Sequence, residues 1–392
     1  MPPGSPFVAT TTPPAVFENG VFRRLPLGWG KGLTVSGAVL SAVGEAIERY
    51  AASLPDPERI IWKRPRELDR EFLDPHTCAL YTDDQYDAER FPYARYDPTV
   101  RHPWVLGKWL ASGAPVWVPA VFAFLSLTLE PEQLICQGSS NGLAASTDPG
   151  DAARRATLEL VERDALMAAW FAESPGRRLE LDETLDPGLQ RVLDGLETLG
   201  ATVEAYVLPT SACGSTVLCL GLGDGRAYPG ATIGLGTDFD VRSALRQAVL
   251  ELGQTGPYLR RVMRSKALAV PKDPASVRRM LDHAAYYFPR QRAAAFDRLR
   301  RGAATMALRN FAKNAPKSSL RTCASALTRA GVRVALVDVT SADVATSPFS
   351  VWRAISPDLQ PISYGFGLER RPVGRIQLRG LASQIPPVHP IW

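Results

Sequence analysis

Two glutamates and an arginine stand close together in the segment TLELVERDA. Glu159 and Glu162 are three residues apart, and Arg163 follows directly. In a helix this spacing places both carboxylates on one face. Two carboxylates beside an arginine, behind the small polar loop predicted at residues 139–151, are a suitable set for holding a metal ion and an anion.

The same spacing recurs in two further segments. Glu45 and Glu48 precede Arg49 in SAVGEAIER, and Glu251 stands three residues before Gln254 in SALRQAVLELGQ. This repetition predicts helices that converge on one site. For any single segment the simpler interpretation is a solvated helix face, because such pairs with Arg are common on exposed helices.

The neighbours of these carboxylates are small or apolar, which indicates that parts of the helices are buried. Buried carboxylates need cations, and the three segments contain few Lys or Arg. We therefore expect a divalent cation, and an all-oxygen donor set favours Mg²⁺, which usually also binds substrate phosphates. No GxxxxGK[ST] loop is present, and GWGKG at residues 28–32 resembles one only in part. The predicted chemistry is the handling of nucleotide phosphates by positioning and charge neutralisation.

Composition limits the classes of function. The 392 residues are 45% hydrophobic and 22% charged, which fits one large or two intimate globular domains. A net charge of +5, with Lys and Arg spread along the chain, argues against nucleic-acid binding. Five Cys without CxxC spacing and four scattered His argue against disulfides and zinc, and fit a reducing cytoplasm. The sequence shows neither a secretory signal nor an apolar run of membrane-spanning length.

The elements that position these residues follow from hydrophobic periodicity and turn residues. Helices are predicted at residues 40–52, 152–170, 187–199 and 240–258. A hairpin is predicted at 105–126, and strands at 21–27, 201–208, 215–222, 229–237, 332–339 and 349–355. Turns or loops are predicted at 28–32, 139–151 and 179–185, and mostly helical, basic structure at 259–330.

Taken in order, four segments of the chain resemble the YcaO family. They are GKGLTVSGAVLSAVGEAIERYAAS, SSNGLAASTDPGDAARRATLELVERDA, SALRQAVLELGQ and VRVALVDVTSADVATSPFSVWRAISPDLQPI. The resemblance covers about residues 28–390. It implies an α+β, YcaO-type fold with mixed sheets packed with helices around a central nucleotide cleft, and ATP and Mg²⁺ as cofactors. It also implies a partly disordered N-terminal extension at 1–27, a catalytic domain at 28–383 and a Pro-rich tail at 384–392.

Members of this family activate a backbone amide of a peptide with ATP. In the azoline-forming branch, a Cys, Ser or Thr side chain attacks the preceding amide carbonyl. The resulting oxygen is phosphorylated, and loss of phosphate leaves a thiazoline or oxazoline. The resemblance implies such a cyclodehydratase acting on a ribosomally made precursor peptide. The alternatives are an enzyme that makes thioamides or amidines, and a non-catalytic scaffold subunit.

The resemblance also implies partners. A separate peptide-binding protein is expected to deliver the precursor peptide, and a homodimer is compatible with the family. Neither nucleic acid nor a membrane is expected as a partner.

The resemblance assigns metal-binding roles residue by residue. The positions that match metal ligands are Glu45, Glu48, Asp151, Glu159, Glu162 and Glu251. Asp151 stands where a glutamate is usual, and its shorter side chain favours an indirect metal contact. Glu162 and Arg163 match catalytic positions, and Arg163 also matches an arginine that contacts phosphate.

The positions that match nucleotide contacts are Thr147, Arg163, Arg246, Gln247 and Gln254. Gln247 stands where arginine is frequent, and Arg246 is the candidate substitute. For Thr147 a plain helix-capping role is the alternative. Azoline-forming members also carry a tail of alternating prolines that reaches the active site. Pro386 and Pro390 match it, and a disordered end is the alternative.

Overall fold

The computed structural model describes residues 4–18, 21–23, 25, 27–210, 213–311, 315–372, 374, 376 and 388–391. Within these residues, strands form two large sheets and two small two-stranded sheets, and helices cover the sheets. The predicted α+β class is confirmed. No helix among the described residues combines the length and the apolar character needed to cross a membrane.

The strands are numbered in chain order. They are β1 Phe7–Thr11, β2 Val16–Glu18, β3 Val21–Arg23, β4 Gly28–Gly32, β5 Ile60–Lys63, β6 His102–Trp109, β7 Pro115–Pro119, β8 Leu143–Ser146, β9 Arg177–Glu180, β10 Thr202–Leu208, β11 Ser215–Leu222, β12 Ala231–Asp238, β13 Thr305–Ala307, β14 Ala335–Asp338 and β15 Ser350–Ile355. The helices are α1 Val35–Ala52, α2 Asp83–Tyr86, α3 Ala120–Ala123, α4 Pro149–Ala172, α5 Pro187–Thr198, α6 Val241–Arg264, α7 Met280–Tyr286, α8 Asp297–Arg300 and α9 Leu320–Arg329.

One large sheet has the order β5-β6-β14-β15-β8, with β7 paired to β6. Side chains alternate along its central strand β14. Ala335 and Val337 lie in the core that the end of α1 helps to form, whereas Leu336 lies in the core on the side of α4 and α9. Because successive side chains of a strand point to opposite faces, both faces of this sheet are buried.

The other large sheet has the order β12-β11-β10-β9-β13. Along β11, Val217 and Cys219 pack towards α5 and α6, whereas Leu218 and Leu220 pack towards the second half of α4. The first half of α4 packs on the other large sheet. This helix of 24 residues therefore connects the two sheets and carries two of the predicted site glutamates.

Side chains cap the three long helices at their first turns. Thr34 accepts a hydrogen bond from the N–H of Gly37 at the start of α1, and Asp240 accepts from the N–H of Ser243 at the start of α6. At the start of α4, Asp148 accepts a hydrogen bond from the N–H of Asp151, and Pro149 occupies the first helical position. Such caps satisfy N–H groups that have no partner inside the helix.

The segment predicted as a turn at 28–32 is the strand β4, which lies directly against α1. A Cβ atom on Gly30 would lie 1.9 Å from the carbonyl oxygen of Ala38, and one on Gly28 would lie 2.2 Å from that of Ala42. The prediction was wrong because glycine here permits a close approach of two backbones rather than a turn. β12 meets α6 in the same way, with Gly234 placed against Ala248.

The other helices, strands and loops predicted from the sequence are confirmed in part. All four predicted helices are confirmed, with α1 and α6 longer than expected, and so are the hairpin and the later strands. The predicted loops at 139–151 and 179–185 were partly wrong, because β8 and the end of β9 lie inside them. The predicted strand at 21–27 is shorter, and the stretch 259–330 contains more irregular structure than predicted. The division into an N-terminal extension at 1–27, a catalytic domain at 28–383 and a tail at 384–392 stays a prediction. β1 lies in the predicted extension and pairs with β4.

Candidate functional site

Five glutamates from three helices form one carboxylate cluster. Glu45 and Glu48 lie on α1, Glu159 and Glu162 on α4, and Glu251 on α6. Glu159 interacts electrostatically with Glu45 and Glu251, and Glu162 interacts with Glu159 and Glu251. Glu48 interacts with Glu45 and Glu159. The structure thus brings together glutamates that are up to 206 positions apart in the sequence.

Arg163 holds the two glutamates of α4. Its Nη1 lies 2.7 Å from Glu162 Oε1, and its Nη2 lies 3.6 Å from Glu159 Oε1. Glu162 is 7% exposed, so this ion pair is largely shielded from water. Removal of either partner would leave a buried charge uncompensated.

Two further cations and one backbone amide bind the glutamates of α1 and α6. Lys31 Nζ on β4 lies 3.0 Å from Glu251 Oε2, and Arg49 Nη2 lies 2.5 Å from Glu45 Oε1. The N–H of Trp29 donates to Glu45 Oε2 over 2.8 Å. The three helical segments contain few basic residues, as the sequence shows, but Lys31 reaches the cluster from a strand outside them.

Burial and mutual repulsion make the cluster receptive to a cation. Burial, with repulsion from Glu159 and Glu45, raises the pKa of Glu48 to about 8, although the N–H of Ala145 donates to its Oε1 over 2.8 Å. Burial raises the pKa of Glu162 to about 7, and it raises the pKa of Glu159 as well. A bound cation favours the ionised carboxylates and offsets this cost.

The donor set of the cluster fits Mg²⁺. Its donors are all oxygen, which suits a hard cation, and Mg²⁺ is commonly held by one or two carboxylates plus water and substrate phosphates. Within the described residues, no three carboxylate, imidazole or thiol groups form a ready-made metal site. The cluster therefore fits a metal that is completed by its ligand better than it fits an all-protein metal cage.

Thr147 precedes α4 and Asp151 lies in its first turn, whereas Glu159 and Glu162 lie near the middle of the helix. Asp148 is the cap of this helix, so the capping alternative for Thr147 was wrong, and Thr147 is exposed. Arg154 Nη2 donates to Asp151 Oδ1 over 2.7 Å, and Ser146 Oγ donates to Asp151 Oδ2 over 3.1 Å. Burial by itself would raise the pKa of Asp151, but the hydrogen bonds from Arg154 and Ser146 outweigh burial, and the pKa is lowered. Asp151 thus stands apart from the cluster as an ionised carboxylate.

Asp151 lines a polar cavity of about 460 Å³ at the first turns of α4 and α6. Eight residues separate it from Glu159, which is about 12 Å along a helix. The cavity is within the size range of small-molecule sites. Its lining includes Arg154, Asp238 and Lys317.

The remaining predicted contacts lie on α6. Arg246 and Gln247 are exposed, and both precede Glu251 on α6 by less than two turns. Gln254 Nε2 donates to the carbonyl oxygen of Gly30 over 3.4 Å. Together with the Lys31–Glu251 ion pair, this bond attaches α6 to β4.

Sequence reasoning missed three residues of this site. Lys31 was considered only as part of a partial phosphate-loop match, although the alternation GWGKG is typical of a strand that points its larger side chains to one face. Arg353 on β15 is buried, donates to the carbonyl oxygen of Ser139 over 2.7 Å and interacts with Glu159. Tyr364 is half-buried beside Arg163 and Glu159. No local pattern in the sequence distinguishes Arg353 or Tyr364.

The C-terminal residues 388–391 are buried near Tyr364. The imidazoles of His389 and His283 stack with centroids 4.1 Å apart, and His389 Nε2 lies 2.6 Å from the carbonyl oxygen of Ser363. The alternative of a disordered end therefore fails for these four residues, which include Pro390. Pro386 lies outside the described residues.

Comparison with known proteins agrees with this arrangement. A family model described as YcaO cyclodehydratase, ATP- and Mg²⁺-binding, matches residues 29–360. An uncharacterized protein of Methanothermobacter thermautotrophicus is 26% identical over 231 residues, which are 58% of this chain and 56% of that protein.

Solved structures share the fold. YcaO from Methanopyrus kandleri, bound with AMPPCP and Mg²⁺, is 19% identical with a TM-score of 0.63 and covers 98% of this chain and 91% of its own. A heterocyclase in complex with substrate and cofactor is 20% identical with a TM-score of 0.66, over 85% of this chain and 45% of its own. A chain of the Escherichia coli microcin synthetase McbBCD complex is 15% identical with a TM-score of 0.62, over 89% of this chain and 88% of its own.

The family match spans most of the chain, and the solved structures share its fold. This chain spans about half the length of the heterocyclase and of the curated relative that it matches. The chain belongs to the YcaO family, which is an ATP- and Mg²⁺-binding family.

Proposed function

We propose that this protein is an ATP- and Mg²⁺-dependent cyclodehydratase that forms thiazoline or oxazoline rings in a ribosomally made peptide. The observation that carries the proposal is the carboxylate cluster itself. It combines glutamates of α1, α4 and α6 with the directly bound Arg163 and Lys31. The family model and the heterocyclase-like fold support the same reaction class.

The residues have separate tasks in this proposal. Glu45, Glu48, Glu159, Glu162 and Glu251 hold Mg²⁺ through carboxylate oxygens. Arg163 and Lys31, which are bonded to the carboxylates, present positive charge to the phosphates.

Thr147, Arg246, Gln247 and Gln254 are proposed nucleotide contacts, and Asp151 is proposed to act indirectly, since it lies about 12 Å along α4 from Glu159. When bound, ATP supplies the phosphoryl group that converts the amide-derived oxygen into a phosphate leaving group.

The other residues of the chain exclude water and fix the geometry. Arg353 is buried and Tyr364 is half-buried beside the α4 glutamates, and the segment that carries Pro390 packs next to Tyr364. Partial shielding of the site from water strengthens the electrostatic interactions on which phosphoryl transfer depends. A proposed catalytic role for Pro386 and Pro390 rests on the family resemblance of the tail.

We propose that a separate peptide-binding protein delivers the precursor peptide to this enzyme. The microcin synthetase whose fold this chain shares is a complex of several components, one form of which has pro-MccB17 bound. A cytoplasmic site of action remains a prediction from the cysteine content.

The test is a reconstitution with mass spectrometry. The protein is incubated with ATP, Mg²⁺, the precursor peptide encoded beside it and any co-encoded partner. Loss of one water per modified Cys, Ser or Thr supports the proposal. An exchange of sulfur for oxygen would identify a thioamide-forming enzyme instead, and absence of both nucleotide binding and turnover would identify a scaffold.

A matched pair of variants tests the site assignment. Glu162→Gln is expected to abolish turnover, because it removes a charged ligand and leaves Arg163 without its closest partner. Glu197→Gln changes an exposed carboxyl group on α5 in the same way and should be silent. Full activity of Glu162→Gln would show that the metal assignment is wrong.

A further inference from the structure

The positive charge of this protein lies mainly in residues 259–333, which contain 18 Lys or Arg and three Asp. Residues 259–292, which we call the basic lobe, contain nine Lys or Arg and two Asp. The rest of the chain contains 36 basic and 38 acidic residues. The other nine basic residues of the stretch 259–333 lie at 293–333, where five of them pair with carboxylates, namely Arg298, Arg300, Arg301, Arg309 and Arg333. The expectation that basic residues are evenly spread does not hold.

The basic lobe is a packed unit and not a run of loose chain. The last turns of α6 pack on α7 through Leu259, Ala284 and Phe288. Arg292 donates to the carbonyl oxygens of Tyr286 and Lys272 over 2.9 and 2.8 Å, which attaches the connecting loop to the residues after α7.

The two acidic residues of the lobe are engaged locally. Asp273 accepts from the N–H and the hydroxyl of Ser276 over 2.9 and 2.8 Å. Asp282 is buried and accepts from the N–H groups of Arg278 and Arg279 over 3.0 and 2.8 Å. Both carboxylates therefore stabilise the chain turns next to them.

Six basic side chains of the lobe are exposed and make no ion pair within the described residues. They are Arg261, Arg264, Lys266, Lys272, Arg278 and Arg290. Some exposed arginines elsewhere are paired, such as Arg95 with Asp83 and Asp87. Others, such as Arg66 and Arg191, make no ion pair in the described part of the chain. Interaction with the helix dipole accounts for Arg261 and Arg264 at the end of α6, but the other four lie beyond it.

The non-charged surface of the lobe favours a peptide as its ligand. Two apolar side chains are exposed among the cations, Val270 at 41% and Met280 at 39%. The aromatic rings are covered, since Tyr287 and Phe288 are buried and Arg292 lies over the Tyr286 ring at 4.1 Å. Proteins that bind single-stranded nucleic acid usually expose aromatic rings on which the bases stack.

The lobe borders the carboxylate cluster. Glu251 and Arg261 are ten residues apart on α6, which is about 15 Å along the helix. Between them, Tyr258 packs edge-on against Trp29, with centroids 5.0 Å apart. On the other side, Phe366 donates its N–H to the carbonyl oxygen of Val277 over 2.9 Å, close to Tyr364 of the site.

We propose that the basic lobe binds an acidic segment of the peptide substrate, with apolar side chains between its carboxylates, outside the residues that react. The lobe then orients the peptide towards the carboxylate cluster. This inference rests on the proposed function in one respect, namely that the substrate is a peptide.

The test measures binding of a short fluorescein-labelled peptide of alternating Glu and Leu by fluorescence anisotropy. Its counterpart with Gln in place of Glu is the uncharged control, and an oligonucleotide of equal charge is the competing ligand. The wild-type protein should prefer the Glu peptide, and its affinity should fall as NaCl rises, because exposed charges are screened.

Charge-reversal variants locate the binding surface. The Arg261→Glu/Arg264→Glu variant should weaken binding of the Glu peptide about tenfold or more, since each reversal replaces attraction with repulsion. The control Arg66→Glu/Arg191→Glu makes the same change of net charge at exposed residues elsewhere, and it should change affinity less than about twofold. Lys272→Glu/Arg278→Glu, in the connecting loop and at its junction with α7, is a second variant that leaves α6 untouched.

The outcomes are distinct. Equal losses in the lobe and control variants, or equal affinity for the Glu and Gln peptides, would overturn the inference. Tighter binding of the oligonucleotide, lost in the lobe variants, would also overturn it and identify a nucleic-acid surface. Binding of labelled ATP with Mg²⁺ is measured on the same samples. Its absence in the wild type refutes the proposed function, whereas intact nucleotide binding with unaltered peptide affinity in the lobe variants refutes the lobe alone.

Discussion

The contact between β4 and α1 makes a quantitative prediction about Gly30. In Gly30→Ala, the new Cβ would lie 1.9 Å from the carbonyl oxygen of Ala38 and 2.2 Å from the N of Ala42. Real Cβ atoms essentially never approach closer than 3.0 Å, so strand and helix must separate by about 1 Å. Both contacts are to backbone atoms, which no rotamer change can relieve. We expect a loss of about 3 kcal/mol in the free energy of unfolding, at the upper end of the usual cost of overpacking.

Gly44 on α1 provides the control, because a Cβ there meets no atom within 4 Å. In a helix interior, Gly44→Ala should stabilise the protein by about 0.5–1 kcal/mol. Urea unfolding followed by far-UV circular dichroism measures both variants. Gly30→Ala should also weaken Mg²⁺·ATP binding, since β4 supplies the Trp29 N–H to Glu45 and Lys31 to the cluster. Stability of Gly30→Ala within about 1 kcal/mol of wild type would refute the proposed backbone contact.

Three further predictions concern charge. Lys31→Met should weaken binding of Mg²⁺·ATP about tenfold by removing a charge-assisted contact, measured by calorimetry, while unchanged affinity would place Lys31 outside the nucleotide site. Burial lowers the pKa of His283 to about 4, below the unfolded value of 6.5, so the unfolded chain binds more protons between these values and stability decreases as the pH is lowered from 6.5 towards 4. At pH 5.5 the loss is about 1.4 kcal/mol, and His283→Gln should lack this component of the pH dependence of the urea midpoint. Burial raises the pKa of Glu48 to about 8, so the contribution of Glu48 to the stability of the metal-free protein is lost as the pH rises from 4.5 towards 8. Carboxylates must be ionised to bind a metal. Addition of Mg²⁺ should therefore raise the melting temperature more at pH 8 than at pH 6.

The helices of the site could be predicted because their sequence patterns are local. Apolar and small residues at helical spacing, the cap at Asp148 and the repeated pairs of glutamates all lie within a few turns of one another. Their convergence could be proposed only from the repetition and from the family resemblance. The small and apolar neighbours in each segment indicate that parts of the helices are buried, but the surroundings of the individual glutamates are set by β8 and β4, which come from other parts of the chain.

The missed features depend on long-range contacts. β4 contains three glycines in five residues, so its period-two alternation rests on only two larger side chains, Trp29 and Lys31. Arg353 and Tyr364 come from the last part of the chain, where nothing nearby resembles a functional motif. The basic lobe was visible as composition, but the local engagement of Asp273 and Asp282 required the coordinates.

Two contacts of the same kind explain how the cluster keeps its geometry. β4 lies against α1 through Gly30, and β12 lies against α6 through Gly234, in each case with strand and helix backbones in direct contact. A backbone contact has no rotamers, so it fixes the height of the helix above the strand more rigidly than side-chain packing does. β4 then joins the two units, because Lys31 bonds to Glu251 of α6 while the Trp29 N–H bonds to Glu45 of α1. Main-chain geometry therefore sets the position of each helix on its strand, and the Lys31 side chain connects the glutamates of α1 and α6.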